Sequence, residues 1–422
     1  MREMKDSGIE WIGQIPNSWT VRRGKTLFVN TKYIPGKLSS NYDRLSLTLK
    51  GVLPRKKDDS DGLQPKDFDT YQLLRKNELV FKLIDLQNVS TSRVGLAHAT
   101  GLVSPAYIVL HANEEILPAF AEKFYLMMWY REIFNSLGDN GVRSSLNVSD
   151  LLNIPVCYPK MEEQIFLTNY LDTKCSEIDA TAEDIQKEID LLEEYKKSVI
   201  TEAVTKGLNP DAEMKDSGVE WIGEIPKHWE IIRIGYILGE IDRRSITGME
   251  ESLSVSQVLG VVPSSQIAVP STASTMVGQK IVEPGELVLN KLKAHLGVCF
   301  VSNYKGLVSP DYAVYKANEK VKSKLLEYVF HTASCIWEFK KYITGVGQGL
   351  SRLYTKDLFR INVALPDMLE QQQIVSYLDS KCSEIDTLIA DKKRQLDILA
   401  DYKKSLIYEY VTGKKEVPVK DF

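Results

Sequence analysis

The sequence predicts a mixed α/β (α+β) chain: two internally duplicated globular segments separated by an antiparallel two-helix coiled coil. Three observations carry this reading. MKDSGIEWIGQIPNSW from Met4 returns as MKDSGVEWIGEIPKHW from Met214, with twelve of sixteen positions identical. A second block, YLDTKCSEID from Tyr170, returns as YLDSKCSEID from Tyr377. Apolar residues then follow each second block in an unbroken 4,3,4,3 step, the mark of a helical seam. The plan is A–B–A′–B′.

The first A segment, residues 1–159, alternates short β-rich runs (ELVFKLI, GLVSPAYIVL) with Gly, Pro and Ser, and an amphipathic helix is expected near 117–137. Residues 160–207 form the first B helix. Its seam is Leu171, Cys175, Ile178, Ala182, Ile185, Ile189, Leu192, Lys196, Val199 and Ala203. The second A segment, 208–366, carries GELVLNKL and GLVSPDYAVY with a helix expected near 320–342. The second B helix, 367–415, keeps the register with Leu378, Cys382, Ile385, Ile389, Lys392, Leu396, Leu399, Lys403, Leu406 and Tyr410, and a tail of 416–422 closes the chain. Lys196 and Lys403 interrupt the seam at the same place, as snorkelling stems or as register setters.

A narrow apolar stripe on an isolated rod has nothing to bury against, so each helix needs a partner, and the other copy is the obvious one. The linker LNPDAE is too short to return the chain along a rod roughly 50 Å long, so the pairing is expected to be antiparallel. That geometry would hold the globular segments at opposite ends, related by a pseudo-twofold axis. The centres of the segments do not match: 31–70 shares little with 240–275. One scaffold carries two different surfaces.

A chain of 422 residues has room for two or three cores. It contains no apolar run long enough for a membrane span and no secretion signal near its first residues, so a cytoplasmic location is expected. Five cysteines without a CxxC spacing argue against a disulfide framework or a zinc ribbon and for reduced, buried thiols. The net charge of −4 is unevenly placed: residues 160–206 carry −6 and 367–415 carry −1, leaving +3 for the rest. The acidity lies on the rod, and a mildly basic pair of globular segments suits a polyanion.

Candidate DNA contacts are the basic residues on loops adjoining strands. They are Arg55, Lys56, Lys57, Lys82, Arg93 and Arg143 in the first segment, and Arg243, Arg244, Lys291, Lys293 and Arg352 in the second. NGVRSSLNVSDL and GQGLSRLYTKDL are Gly- and Ser-rich and basic just before a helix or strand start, where backbone N–H groups and a guanidinium can hold phosphate.

The chain resembles the specificity subunit of type I restriction-modification systems over almost its whole length. The features that match are the openings SGIEWIGQIPNSW and SGVEWIGEIPKHW, the exits IPVCYPKMEEQIFLTNYLD and INVALPDMLEQQQIVSYLD, and the helix ends YKKSVITEAVTKG and YKKSLIYEYVTGK. GELVLNKLKAHLGVCFVS is similar to a segment common in that family's target-recognition domains, whereas NELVFKLIDLQNVSTSRVGLAHAT departs from it. The resemblance implies a non-catalytic DNA reader. Each target-recognition domain would contact one half of a split sequence, and the helices would set the gap and dock two methyltransferase subunits. Those subunits would bind S-adenosylmethionine and methylate a flipped adenine; restriction (motor-nuclease) subunits can join for cleavage. No cofactor or metal is expected on this chain itself.

Three other functions compete with this one. SPAY at Ser104–Tyr107 and SPDY at Ser309–Tyr312 resemble the (N/D/S)PP(Y/F) loop of amino-methyltransferases but lack its second proline, and no FxGxG-like loop precedes them; a turn entering a buried strand accounts for both. There is no GxxxxGK, no HExxH and no paired histidine, so catalysis by this chain is not expected. A coiled-coil protein scaffold explains the rod but gives the unlike centres no task. A stand-alone DNA-binding regulator would use the same architecture without partners.

Overall fold

The computed structural model describes residues 2–57, 68–87, 91–137, 145–267, 276–344 and 352–418. Its contacts divide the chain into two compact units. The first is Met1–Gln186 with Arg394–Phe422, and the second is Lys187–Lys393. Each unit therefore contains one globular segment, the first part of the long helix that leaves it and the last part of the other long helix.

Both units open on the same small ladder. Met4–Asp6 pairs antiparallel with Gln14–Pro16 in the first, and Met214–Asp216 with Glu224–Pro226 in the second. The function of the repeated block is visible in its last tryptophan. Trp19 and Trp229 are each 1% exposed, and their Nε1 groups donate to Glu163 and Glu370 at 3.3 and 3.2 Å, in the first turn of the adjoining long helix. The end of the other long helix arrives at the same indole. Gly413 (φ +70°) lies against Pro16 and Trp19, and Gly207 (φ +76°) against Pro226 and Trp229. A left-handed glycine closing a helix is needed twice here, for its backbone angle and because a side chain at Gly413 would collide with the Pro16 ring.

The central sheet has one strand order in both units and is antiparallel throughout. In the first it runs Phe28–Asn30, Ile108–Ala112, Leu79–Phe81, Val94–Leu96; in the second, Leu238–Ile241, Tyr312–Ala317, Leu287–Asn290, Cys299–Val301. Helices cover one face. The expected helix near 117–137 is two, Pro118–Tyr130 and Ile133–Leu137, because Glu132 adopts a left-handed φ of 57° between them. The helix expected near 320–342 is also two, Ser323–Phe330 and Ala333–Tyr342, because the Thr332 hydroxyl caps the second by accepting from the Cys335 N–H.

The unlike centres form corresponding ladders. Arg44–Thr48 pairs antiparallel with Gly51–Arg55 and, in parallel, with Gly101–Val103, which also pairs with Gln72–Leu74. In the second unit Leu253–Ser256 pairs with Gly260–Pro263, Lys280–Val282 pairs with Gly306–Val308, and a parallel bridge from Ser252 to Leu307 links the two.

A last strand pair leads into each long helix: Thr20–Arg23 with Pro155–Tyr158, then Met161–Lys206; Glu230–Arg233 with Asn362–Leu365, then Met368–Val411. Gln164 and Gln371 are buried and serve as staples. Their Oε1 atoms accept from Leu117 and Lys322 N–H, and their Nε2 groups donate to the carbonyls of Glu115 and Pro159, and of Lys320 and Pro366.

The heptad seam is the buried face of each helix. Leu171, Ile178, Ile189, Leu378, Ile385 and Ile389 are buried, and Ile185, Leu192, Leu396 and Leu399 are half-buried. The pairing is antiparallel inside each unit. In the first, Tyr170 meets Tyr410 with ring centroids 4.9 Å apart and Asp179 meets Lys403; in the second, Glu188 meets Lys392 and Lys196 meets Asp386. As one helix index rises, its partner's falls.

Candidate nucleic-acid interface

The two centres present the same device with different side chains. In the first unit the hairpin turns through Leu49 and Lys50 between the paired Thr48 and Gly51. The Thr48 hydroxyl accepts from Lys50 N–H at 3.1 Å and donates to the Gly51 carbonyl at 2.9 Å, while Gly51 takes a φ of 97°. In the second the hairpin turns through Gln257, Val258 and Leu259 between Ser256 and Gly260. There the Ser256 hydroxyl accepts from both Val258 and Leu259 N–H at 3.2 Å, with Gly260 at φ 72°. A hydroxyl residue before the turn and a glycine after it hold each tip in one conformation.

The first unit distributes its expected contacts unevenly. Lys56 is exposed beside the hairpin, and Arg55 ends its second strand. Lys57 Nζ is tied to the Ser39 and Ser40 carbonyls at 3.1 and 3.3 Å and lies 5.8 Å from the Phe68 ring centroid, so its charge is held rather than free to swing. Lys82 is half-buried and donates to Thr91 at 3.0 Å; burial, and then the Arg93 guanidinium beside it, pull its ammonium below the usual lysine range. Arg93 corrects the expectation of a loop cation facing DNA. It is 1% exposed, and its guanidinium donates inward to the carbonyls of Lys82, Ile84 and Asp85, at 2.6 Å for the last. Its role there is to satisfy backbone that the strands leave behind. Arg143 lies outside the described residues.

The second unit gathers its cations near one strand edge. Arg243 pairs with Glu286, and Arg244 with Asp242 at 3.0 Å. Lys291 is half-buried; burial, then repulsion from Lys280, lower its affinity for a proton, with Arg352 adding to the repulsion and Glu240 and Asp311 opposing it. Arg352 reaches Asp311 at 3.5 Å, and Lys293 is exposed. Lys280, which is not among the expected contacts, is a buried lysine 3.4 Å from Glu240 and 3.7 Å from Asp242. It lies across an isolated bridge from Arg244, in a cluster where cations and carboxylates alternate.

Of the two loop–helix starts expected to hold phosphate, the first differs from expectation, whereas the helix Thr355–Leu358 in the second has no side-chain cap at Tyr354. The helix Val148–Asn153 is closed by a capping box. Asn147 Oδ1 accepts from the Ser149 and Asp150 N–H groups, and Asp150 accepts from the Asn147 N–H, so those amides are spoken for. Residues 138–144 and 345–351, the rest of the two glycine-rich stretches, lie outside the described residues.

Ser104–Tyr107 and Ser309–Tyr312 are turns, closed by Tyr107 N–H to the Ser104 carbonyl at 3.1 Å and by Tyr312 N–H to the Ser309 carbonyl at 3.0 Å. Each feeds a buried strand, as expected. All five cysteines are free and buried, and burial pushes the Cys157 thiol up to about 12. Among the described residues no group of histidine, cysteine and carboxylate side chains is placed to hold a metal ion, and no helix is long and apolar enough to cross a membrane.

Comparison with known proteins places this architecture. Residues 271–397 match the family model described as "Type I restriction modification DNA specificity domain". The protein described as the type I restriction enzyme MjaX specificity subunit, from Methanocaldococcus jannaschii, is 24% identical over 431 residues, covering 96% of both chains. Among solved structures, one described as concerning complex assembly and conformational transition of the type I R-M system aligns at a TM-score of 0.67. It is 15% identical and covers 95% of this chain and 99% of that one. The HsdS subunit from Thermoanaerobacter tengcongensis aligns at 0.51, 16% identical, over 95% of this chain and 98% of that one. At these identities the structural likeness is one of fold.

Proposed function

We infer the function from one premise: the chain belongs to the specificity subunits of type I restriction-modification systems. It recognises DNA rather than transforming it. Each globular segment, 1–159 and 208–366, acts as a target-recognition domain for one half of a bipartite duplex sequence. The helices of 160–207 and 367–415 set the gap between halves and dock two methyltransferase subunits, to which S-adenosylmethionine binds; restriction subunits can join the same assembly. The observation that carries the reading is the contrast between constant and variable parts. Trp19 and Trp229, the glutamines of the helix starts and the seam are built twice in one way, whereas the hairpins of 31–70 and 240–275 share a backbone course and not a sequence.

Contacts fall into two classes. Lys56, Lys293, Arg352 and the neighbouring Lys280–Lys291 edge supply positive charge for phosphates, which position the duplex without reading it. The side chains of the hairpins, unlike in the two units, supply the sequence code. Methylation occurs in the reading's partner subunit, and no residue of this chain is assigned a chemical step.

The test is coexpression with the host methyltransferase subunit, followed by binding measurements across salt and mapping of methylated adenines. A split motif with unlike halves, retained over a steep salt slope, is expected. A protein scaffold would show no sequence preference at any salt. A stand-alone regulator would bind its target equally well without the methyltransferase.

A further inference from the structure

We propose that the two hairpins enter the major groove as two-stranded ribbons and that their apolar tips, Leu49 in the first unit and Val258 with Leu259 in the second, read thymine through its C5-methyl group. This rests on the reading of the chain as a DNA-recognition subunit and goes beyond it by assigning the chemistry of the contact.

Four observations lead there. The tips are apolar and open to solvent: Leu49 is 61% exposed, Val258 88% and Leu259 58%. A single exposed aliphatic residue is ordinary on any protein. These three stand at corresponding turns of a duplicated fold, in the parts of the chain whose sequences differ most. The turns are also held in place, by Thr48 and Gly51 in one unit and by Ser256 and Gly260 in the other, so the tips pay little ordering entropy on meeting a ligand. The second hairpin is braced further at its base, where Ser264 Oγ lies 2.8 Å from Ser254 Oγ and 3.1 Å from Ser252 Oγ.

The shape and the chemistry then select one groove and one base. A two-stranded ribbon fits the major groove and not the narrower minor groove. Aliphatic side chains have no hydrogen bond to offer a base edge, and the thymine methyl is the apolar feature displayed on the major-groove floor. Lys50, beside Leu49 at the first tip, and Lys56, next to that hairpin, are placed to meet flanking phosphates. At the second tip Gln257 is the polar neighbour, so hydrogen bonding accompanies the methyl contact there.

The experiment uses the complex with the methyltransferase subunit and a duplex carrying the mapped target, with deoxyuridine replacing thymidine in one half-site at a time. Uracil keeps every hydrogen-bonding group and removes only the methyl. Loss of about fourfold in affinity per contacted methyl is expected, the scale of one buried methylene-sized group. The double variant Val258→Ser, Leu259→Ser should bind the thymine target more weakly and become indifferent to uracil in one half-site while staying sensitive in the other. Leu49→Ser should show the converse pattern. Unchanged wild-type affinity for both uracil duplexes overturns the proposal, as does a variant that keeps its sensitivity in both halves. A complex with no sequence preference at all would instead sink the underlying reading of the chain as a DNA reader.

Discussion

Lys403 Nζ lies 2.6 and 2.7 Å from the two carboxylate oxygens of Asp179, so the lysine that interrupts one seam is bound by an aspartate of the other helix. The duplicated pair, Lys196 with Asp386, has the same bidentate distances, 2.7 and 2.6 Å. Both lysine stems are mostly covered while both aspartates are exposed, so each lysine snorkels and pairs at once. The choice between a snorkelling stem and a register setter dissolves: the stem covers the seam, and the head selects the partner residue across it.

Removing either charge should therefore cost little stability, about 0.2–1 kcal/mol, because the aspartates are solvent-screened. The informative measurement is a charge exchange. Lys403→Asp alone should weaken the helix pair, and adding Asp179→Lys should restore most of the loss, read as the midpoint of thermal unfolding. Recovery that fails in the exchanged pair would show that the contact carries no register information.

Trp19 and Trp229 are predicted to be equivalent structural anchors. Either Trp→Ala substitution should destabilise its own unit by ~3–5 kcal/mol, the range for truncating a fully buried aromatic. Trp→Phe should cost less, losing the indole donor to Glu163 or Glu370 and part of the buried volume. Differential scanning calorimetry of the two single variants would reveal whether the duplicated block does the same work in both places.

The duplication, the antiparallel seam and the location of the variable centres were legible in the sequence, because repeated wording and a 4,3 step survive in one dimension. The kinship of the two hairpins was not. Leu45 and Leu253, or Thr48 and Ser256, align only once the backbone ladders are seen, since a strand asks merely for alternation and a turn for a hydroxyl and a glycine. The helix breaks at Glu132 and Thr332 were hidden for a similar reason: each is a local backbone choice inside an otherwise continuous amphipathic pattern. Basic residues were found by type alone, and type does not say which way a side chain faces. Arg93 is the clearest instance.

Arg93 and Lys293 should separate cleanly in experiment. Arg93→Ala should remove a buried side chain and the donor to three part-buried carbonyls, and destabilise the first unit by ~1–3 kcal/mol, detectable in unfolding without DNA. Lys293→Ala, at an exposed position, should leave unfolding unchanged and reduce the slope of log affinity against log salt by about one.

His331 makes stability depend on pH from the acid side. Among the described residues its buried Nε2 has no hydrogen-bond partner, its ring packs 4.8 Å from Phe300, and burial holds its pKa below the ordinary histidine value. A base whose folded pKa is depressed contributes stability above its unfolded value, about 6.5, and loses it as pH falls through the folded one. Urea midpoints should drop as pH falls below about 6.5. The slope should flatten in His331→Gln, and an identical slope in that variant would place the titration elsewhere.

In the proposed function the paired helices measure the distance between two half-sites. Inserting four residues after Glu188 and four after Gln395 keeps the Tyr170–Tyr410, Asp179–Lys403 and Lys196–Asp386 contacts, moves Glu188 about one turn out of register with Lys392, and adds roughly 6 Å of helix. Mapping the adenines methylated by the resulting complex should return both half-sites unchanged with a longer gap between them. Altered half-sites with the original gap would contradict it.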